Sequence, residues 1–427
     1  MKTPKLLIFR DLEKDWSFVR MSQIAYDCID LENIQSDTAE FVGHVLEVSE
    51  RMGFKGNLWH NYLTYMIVNS HNPLSLASER RGFMNGSVNE VALYDIAAFI
   101  RIFKTDLYVF DYKYNTNLSI LTSFVNDNEN ESYYNKRIRD SIISLAERLS
   151  SVDDEREFQY VLCDFYREHG VGNLGLFKAF RINHPISTDV VTIEPIVSVE
   201  HIYLNDLIGY EIQKKKLVDN TEAFIKGKKA NNVLLFGDSG TGKSSSIKAI
   251  LNEYYDRGLR MIEVYKHQFK DLSAIINQIK DRNYKFIIFM DDLSFEEFEI
   301  EYKYLKAIIE GGLEKRPDNV LIYATSNRRH LVREKFSDKE ERDDDLHSRD
   351  TVQEKLSLSA RFGVSIYYGS PDKKQFNEII KGLAKKNNID MDEEKLLLEA
   401  NKWEVSHGGL SGRNAKQFIN YLSYCDN

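Results

Sequence analysis

Residues 231–255 read NNVLLFGDSGTGKSSSIKAILNEYY: an apolar run, a glycine-rich turn, then a segment of helical character. Within it stands Gly237-x-x-x-x-Gly242-Lys243-Ser244. The glycines let the chain wrap so that backbone N–H groups converge on phosphate oxygens. The lysine reaches the β and γ oxygens, and the hydroxyl after it takes a magnesium coordination position at a helix N-terminus. Gly237, Asp238, Ser239, Gly240, Thr241, Gly242, Lys243, Ser244 and Ser245 are therefore the expected phosphate cradle, with Ser244 as a metal ligand. A plain glycine turn is the alternative. The strand before and the helix after, which a phosphate loop requires, weigh against it.

Working outward, short apolar segments at 232–236, 261–265, 286–290, 320–325 and 364–367 alternate with helical ones, which predicts an α/β fold on a parallel sheet. The third lies in KFIIFMDDLSF, residues 285–295. It is apolar throughout, as a strand buried on both faces should be, and two acids follow where it ends, beside the phosphate loop. Asp291 is the expected holder of magnesium-bound water, and Asp292 the group that orients and deprotonates an attacking water. An aspartate reaches about 1.5 Å less than a glutamate, one carbon–carbon bond, so its carboxylate either acts through a shifted backbone or hydrolyses slowly. Glu296 and Glu297 are reserve candidates whose simpler account is a solvated acidic face. The next strand, NVLIYATSN at 319–327, ends in Asn327, a neutral amide able to bond phosphate and water together. Arg361 precedes the last strand and Arg413 lies at a glycine-rich helix start, where a guanidinium can fork two phosphate oxygens.

The chain has 427 residues, 42% hydrophobic and 29% charged, enough for two or three cores, with a formal net charge of −9. That charge argues against a histone-like binder but leaves room for a local basic channel, so nucleic acid is not excluded as a partner. Cys28, Cys163 and Cys425 show no ligand spacing and are expected as reduced thiols, and neither His267 nor His347 has a second ligand at metal spacing. No stretch approaches eighteen apolar residues, so a cytoplasmic protein without membrane insertion is expected.

Residues up to about 182 are patterned for helices. The segment 89–107 is expected to bury Val91, Tyr94, Ile96, Ala98 and Ile102, and the segment 157–170 to bury Phe158, Val161, Leu162, Phe165 and Tyr166. Residues 123–137 are polar and expected as an exposed loop. GVGNLG at 170–175 fits a dinucleotide pattern, but a helix precedes it, so Gly170 is expected as a left-handed helix cap. From 183 two prolines and β-branched alternation suggest a connector or small hairpin. Three domains follow: 1–195, mainly helical with a connector; 196–370, the phosphate-binding α/β domain; and 371–427, a helical lid.

Together the motifs resemble an AAA-plus ATPase: LIGYE at 207–211, the phosphate loop, the acidic strand, Asn327, Arg361 and Arg413. More narrowly, the run from Asp206 to Ser245, with DDLSFE, ATSNRRHL and QEKLSLSARFG, is similar to bacterial ATP-binding proteins grouped as domain-of-unknown-function family 815. The resemblance covers about 200–427 and, before that, rests mainly on YREHGVGNLGLFKAFRI. It implies a nucleotide between sheet domain and lid, with Ile208 and Gly209 near the adenine. It also implies Arg361 reaching the ATP of a neighbouring subunit, hence a homo-oligomer in a ring or filament. The expected activity is magnesium-dependent hydrolysis of ATP, the helical N-terminal half recognising an unidentified protein client. Alternatives are an ATP-controlled scaffold with negligible turnover, favoured by Asp292, and a helicase-loader or initiator-like protein acting on DNA. The charged segment 328–350 is a solvated loop or, with Arg328 and Arg329, a subunit contact.

Overall fold

All five segments expected as strands form, and two more join them. The computed structural model describes residues 5–125, 135–184, 191–295, 299–310, 317–328, 331 and 358–425. Its strands are β1 (Ala179–Asn183), β2 (Thr192–Pro195), β3 (Val233–Gly237), β4 (Leu259–Glu263), β5 (Lys285–Met290), β6 (Val320–Ser326) and β7 (Val364–Tyr368). They make one sheet in the order β2-β1-β4-β5-β6-β3-β7. Every pair from β1 to β7 in that order is parallel. Parallel neighbours need crossover connections, and these put helices on the sheet faces, so β6 is buried along its whole length.

The order has a local consequence. β6 stands between β3 and β5, with Phe236 level with Ser326 and Met290 level with Ala324. The phosphate loop, the residues Thr325 to Asn327 and the two acids thereby lie side by side at the carboxyl ends of adjacent strands. After β7 the helices Lys373–Lys386, Glu393–Ser406 and Gly412–Cys425 form the lid. They enclose their own core of Phe376, Ile380, Leu396, Ala415 and Phe418. Asp372 starts the first of them by accepting the Gln375 N–H at 2.8 Å, and the Gln375 side chain returns the bond at 3.2 Å.

The chain divides into two units, Met1–Lys178 with Pro195–Val199, and Ala179–Glu194 with Glu200–Asn427. The expected boundary at 195 thus falls after β1 and β2, both strands of this sheet. AFRIN buries Phe180 and Ile182 and pairs with β4, a partner some eighty residues away that local patterning does not reveal.

The other unit is helical, from Trp16–Ala25 to Glu155–His169. The last of these helices buries Phe158, Val161, Leu162, Phe165 and Tyr166, as its spacing predicts. Helix Ser87–Phe103 departs from expectation. Ile96, Ala98 and Ile102 are buried, but Val91 and Tyr94 are 41% and 53% exposed. The reason is Asp95, fully buried, whose carboxylate accepts the N–H groups of Leu7, Ile8 and Phe9 at 2.8, 2.7 and 3.0 Å. An acid so satisfied faces inward, and the buried stripe turns with it. Gly170 does end its helix, but with φ 75° and ψ −170°, outside the left-handed cap region. The rest of GVGNLG forms the short helix Gly172–Leu176. Most of the expected loop at 123–137 lies outside the described residues.

Candidate nucleotide site

β3 ends in Gly237 at φ 131°, where an added Cβ would stand 2.1 Å from the Tyr368 carbonyl oxygen. That oxygen accepts the Asp238 N–H at 2.9 Å, so the loop leaves the sheet pressed against β7. The chain turns through Gly242, in the left-handed region, into helix Lys243–Tyr254. Lys243 is only 6% exposed. Its ammonium donates to the carbonyls of Gly237 (2.9 Å) and Asp238 (2.6 Å) and to Asn327 Oδ1 (3.0 Å). Burial pushes its pKa below the ordinary lysine value, against the pull of Asp238, Asp292 and Asp291, while the Arg413 charge pushes with burial.

Asn327 joins the lysine to an acid. Its amide nitrogen donates to Asp292 Oδ1 at 2.8 Å while its oxygen accepts from Lys243. Asp292 has a left-handed backbone, φ 50°. The neighbouring acid, Asp291, accepts Ser244 Oγ at 2.6 Å and Thr325 Oγ1 at 2.5 Å through the same oxygen. A hydroxyl and a carboxylate meeting at a helix N-terminus form a hard oxygen donor set. Magnesium is bound in that way, by one or two protein oxygens with phosphates and water supplying the rest. The Ser244 hydroxyl and the Asp291 carboxylate therefore fit such an ion. Among the described residues no cluster of three or more His, Cys, Asp or Glu competes for it.

These groups open onto a cleft of about 740 Å³. Its polar end is lined by residues 239–246, both acids, Thr325, Asn327 and Arg413. The segment before β3 and the lid add Ile202, Leu207, Ile208, Ile379, Leu383 and Ile419 to its lining, with the charged Asp206, Lys386 and Lys416 among them. An apolar slot beside a polar cradle suits a purine ring next to its phosphates. Ile208 also packs against the lid core, passing so close to Gly382 that an added Cβ there would be 2.3 Å from Ile208 Cδ1. Gly209, Gly237 and Asp238 shape the chain but do not themselves line the cleft.

Arg413 sits in the first turn of the last lid helix, and its N–H donates to the Gly240 carbonyl at 3.1 Å. Arg361 is elsewhere: it precedes β7, at the opposite end of that strand from Tyr368 and the phosphate loop, and does not line the cleft. Glu296, Glu297, Arg329, His347 and the stretch 332–350 lie outside the described residues. His267 stacks on Tyr265. Two features escaped the sequence reading. One is Thr325, a strand hydroxyl with no motif to flag it. The other is the hinge to the lid, where Asp238 Oδ2 accepts the Ser370 N–H (2.7 Å) and hydroxyl (2.9 Å). Tyr210, itself left-handed, stacks on Tyr368 and donates to the Gly369 carbonyl at 2.8 Å beside that hinge.

Fifty-one residues are 45% identical to the replication factor C large subunit of Methanococcus vannielii, a match over 12% of this chain and 10% of that protein. The chain thus spans about a tenth of the length of the curated relative it matches. Among solved structures, the Thermotoga maritima RuvB Holliday junction branch migration motor aligns over 51% of this chain and 71% of its own, with 17% identity and a TM-score of 0.32. A mutant form of the same Thermotoga maritima RuvB aligns over 52% and 72%, with 16% identity and a TM-score of 0.33. The parallel sheet with its phosphate loop and C-terminal helical lid is a P-loop NTPase fold of the AAA-plus type, preceded by a mainly helical region. The family model described as Protein of unknown function (DUF815) matches residues 176–424, more than half of the chain, and the chain belongs to that family.

Proposed function

We propose that this protein binds ATP with magnesium and hydrolyses it to ADP and phosphate, using the cycle to change the conformation of itself and a protein client. The observation that carries the reading is the continuous chain Lys243–Asn327–Asp292, beside Ser244–Asp291, at the polar end of the cleft. Lys243 would meet the β and γ oxygens, and Asn327 would hold the γ-phosphoryl and the attacking water together. Asp292 would take the water proton as the water oxygen bonds to phosphorus and the bridging oxygen departs with ADP. Magnesium held by Ser244 and Asp291 would supply positive charge for the developing phosphate oxygens. Arg413 would follow the phosphates from the lid, and Arg361 would serve the site of a neighbouring copy, since it does not line its own cleft. No helix among the described residues is long and apolar enough to cross a membrane.

The test is steady-state turnover across a range of protein concentrations. Turnover per subunit should rise with concentration, and should be lost in Lys243→Ala and in Arg361→Ala. Tight ATP binding with no Lys243-dependent turnover at any concentration would instead support an ATP-controlled switch. The observation favouring that second reading is the short acid at 292. A strong rise in turnover on Asp292→Glu would then identify the missing methylene as the cause.

A further inference from the structure

Thr325 lies near the end of β6 and is 2% exposed. Valine would suit such a buried strand position as well, so the hydroxyl calls for a reason. Its surroundings supply one. Oγ1 donates to Asp291 Oδ1 at 2.5 Å and accepts the Asp292 N–H at 2.9 Å. A hydroxyl has a single proton, and an ionised carboxylate only accepts, so both bonds have a fixed direction. The Thr325 carbonyl in addition accepts the Leu293 N–H at 2.7 Å. One residue therefore grips the chain immediately after β5 at three points.

Each grip bears on an acid. Asp291 Oδ1 is shared by Thr325 and Ser244, so the hydroxyl sets how the carboxylate faces the helix N-terminus. At Asp292 the backbone is left-handed, φ 50°, a conformation that a residue with a side chain keeps only where the surroundings hold it. The bonds to the N–H groups of Asp292 and Leu293 are what hold it. With the turn in place, the Asp292 carboxylate reaches Asn327 at 2.8 Å despite its length.

We propose that Thr325 is a positioning residue for both acids. It keeps the Asp291 carboxylate turned to Ser244 for magnesium, and it maintains the left-handed turn that aims Asp292 at Asn327, recovering through the backbone the reach that a shorter side chain gives up. The inference rests on the ATP reading of the same cleft.

The experiment compares Thr325→Val, which keeps shape and removes the hydroxyl, with Thr325→Ser, which keeps the hydroxyl, and uses Lys243→Ala as control. A fluorescent ATP analogue is titrated at fixed magnesium concentrations, and single-turnover hydrolysis is followed in parallel. Groups that orient metal ligands cost roughly 10–100-fold in metal affinity or activity when removed. Thr325→Val should accordingly raise the magnesium concentration for half-maximal binding about tenfold and slow hydrolysis roughly 10–100-fold, with affinity at saturating magnesium within about threefold. Thr325→Ser should restore both within about threefold. An unchanged magnesium requirement in Thr325→Val overturns the proposal, as does equal damage by valine and serine, which would mean packing alone. If the valine variant does not melt cooperatively, Thr325→Ala gives the same comparison. Should the unaltered protein bind without turning over, the magnesium requirement decides by itself. Absence of Lys243-dependent analogue binding in the unaltered protein sinks the ATP reading, and this role with it.

Discussion

Lys243 is a cation whose surroundings act against it: burial lowers its pKa, and three carboxylates only partly counter that. A bound polyphosphate favours the charged form. ATP affinity should therefore be full where the lysine is protonated and should weaken as pH rises toward the ordinary lysine value of about 10.4, with proton uptake on binding growing over the same range. Calorimetric titrations in buffers of different ionisation enthalpy would measure this uptake, and Lys243→Arg, whose guanidinium does not titrate, should abolish it. At this scale the sequence was informative wherever the chemistry demands a residue type. Lysine, serine, the acid pair and the amide were all legible, and the structure brings Lys243, Ser244, Asp291, Asp292 and Asn327 together. Thr325 was not legible, because a threonine in a strand is ordinary and only the fold reveals that its hydroxyl faces two acids. The exposure of Val91 and Tyr94 was not legible either, since the three backbone N–H groups of residues 7–9 that hold Asp95 inward cannot be foreseen locally.

Among elements, helix Lys373–Lys386 meets the segment preceding β3 beside the cleft. Gly382 permits the approach of Ile208, whose side chain both lines the cleft and packs on the lid core. Gly382→Ala should displace that side chain toward the apolar end, because its terminal methyl is the atom in the way. Nucleotide affinity is expected to fall by about three- to tenfold, on the order of 1 kcal/mol, with the thermal midpoint little changed. Parallel equilibrium binding and melting curves would check this, and a large drop in midpoint with unaltered affinity would contradict it. The five core strands were legible from their apolar runs, each within about two residues of its final bounds. Their lateral order was not, because parallel strands joined by long crossovers carry no local signal of which will be neighbours.

For the whole molecule, the division before Ala179 gives the sheet two strands that lie outside the expected α/β domain. Removing them would expose the edge of β4 and the apolar surface facing Phe180 and Ile182, each worth about 1.5–3 kcal/mol when fully buried. A fragment of residues 179–427 should melt cooperatively, whereas 200–427 should melt lower or aggregate, as calorimetry and light scattering would reveal. Equal midpoints would mean that β1 adds nothing to the sheet. The sequence hid this because β1 ends a helical region and stands before a linker, and its partner arrives only after the phosphate loop and its helix. Arg361 has a consequence of its own if it serves another copy. Lying at one end of β7 while the phosphate loop lies at the other, it favours a head-to-tail contact, which closes into rings or extends into filaments. In such an assembly a fault in Arg361 is borne by the neighbour and not by the copy that carries it, so that one damaged copy beside a sound one silences a site whose own sequence is intact.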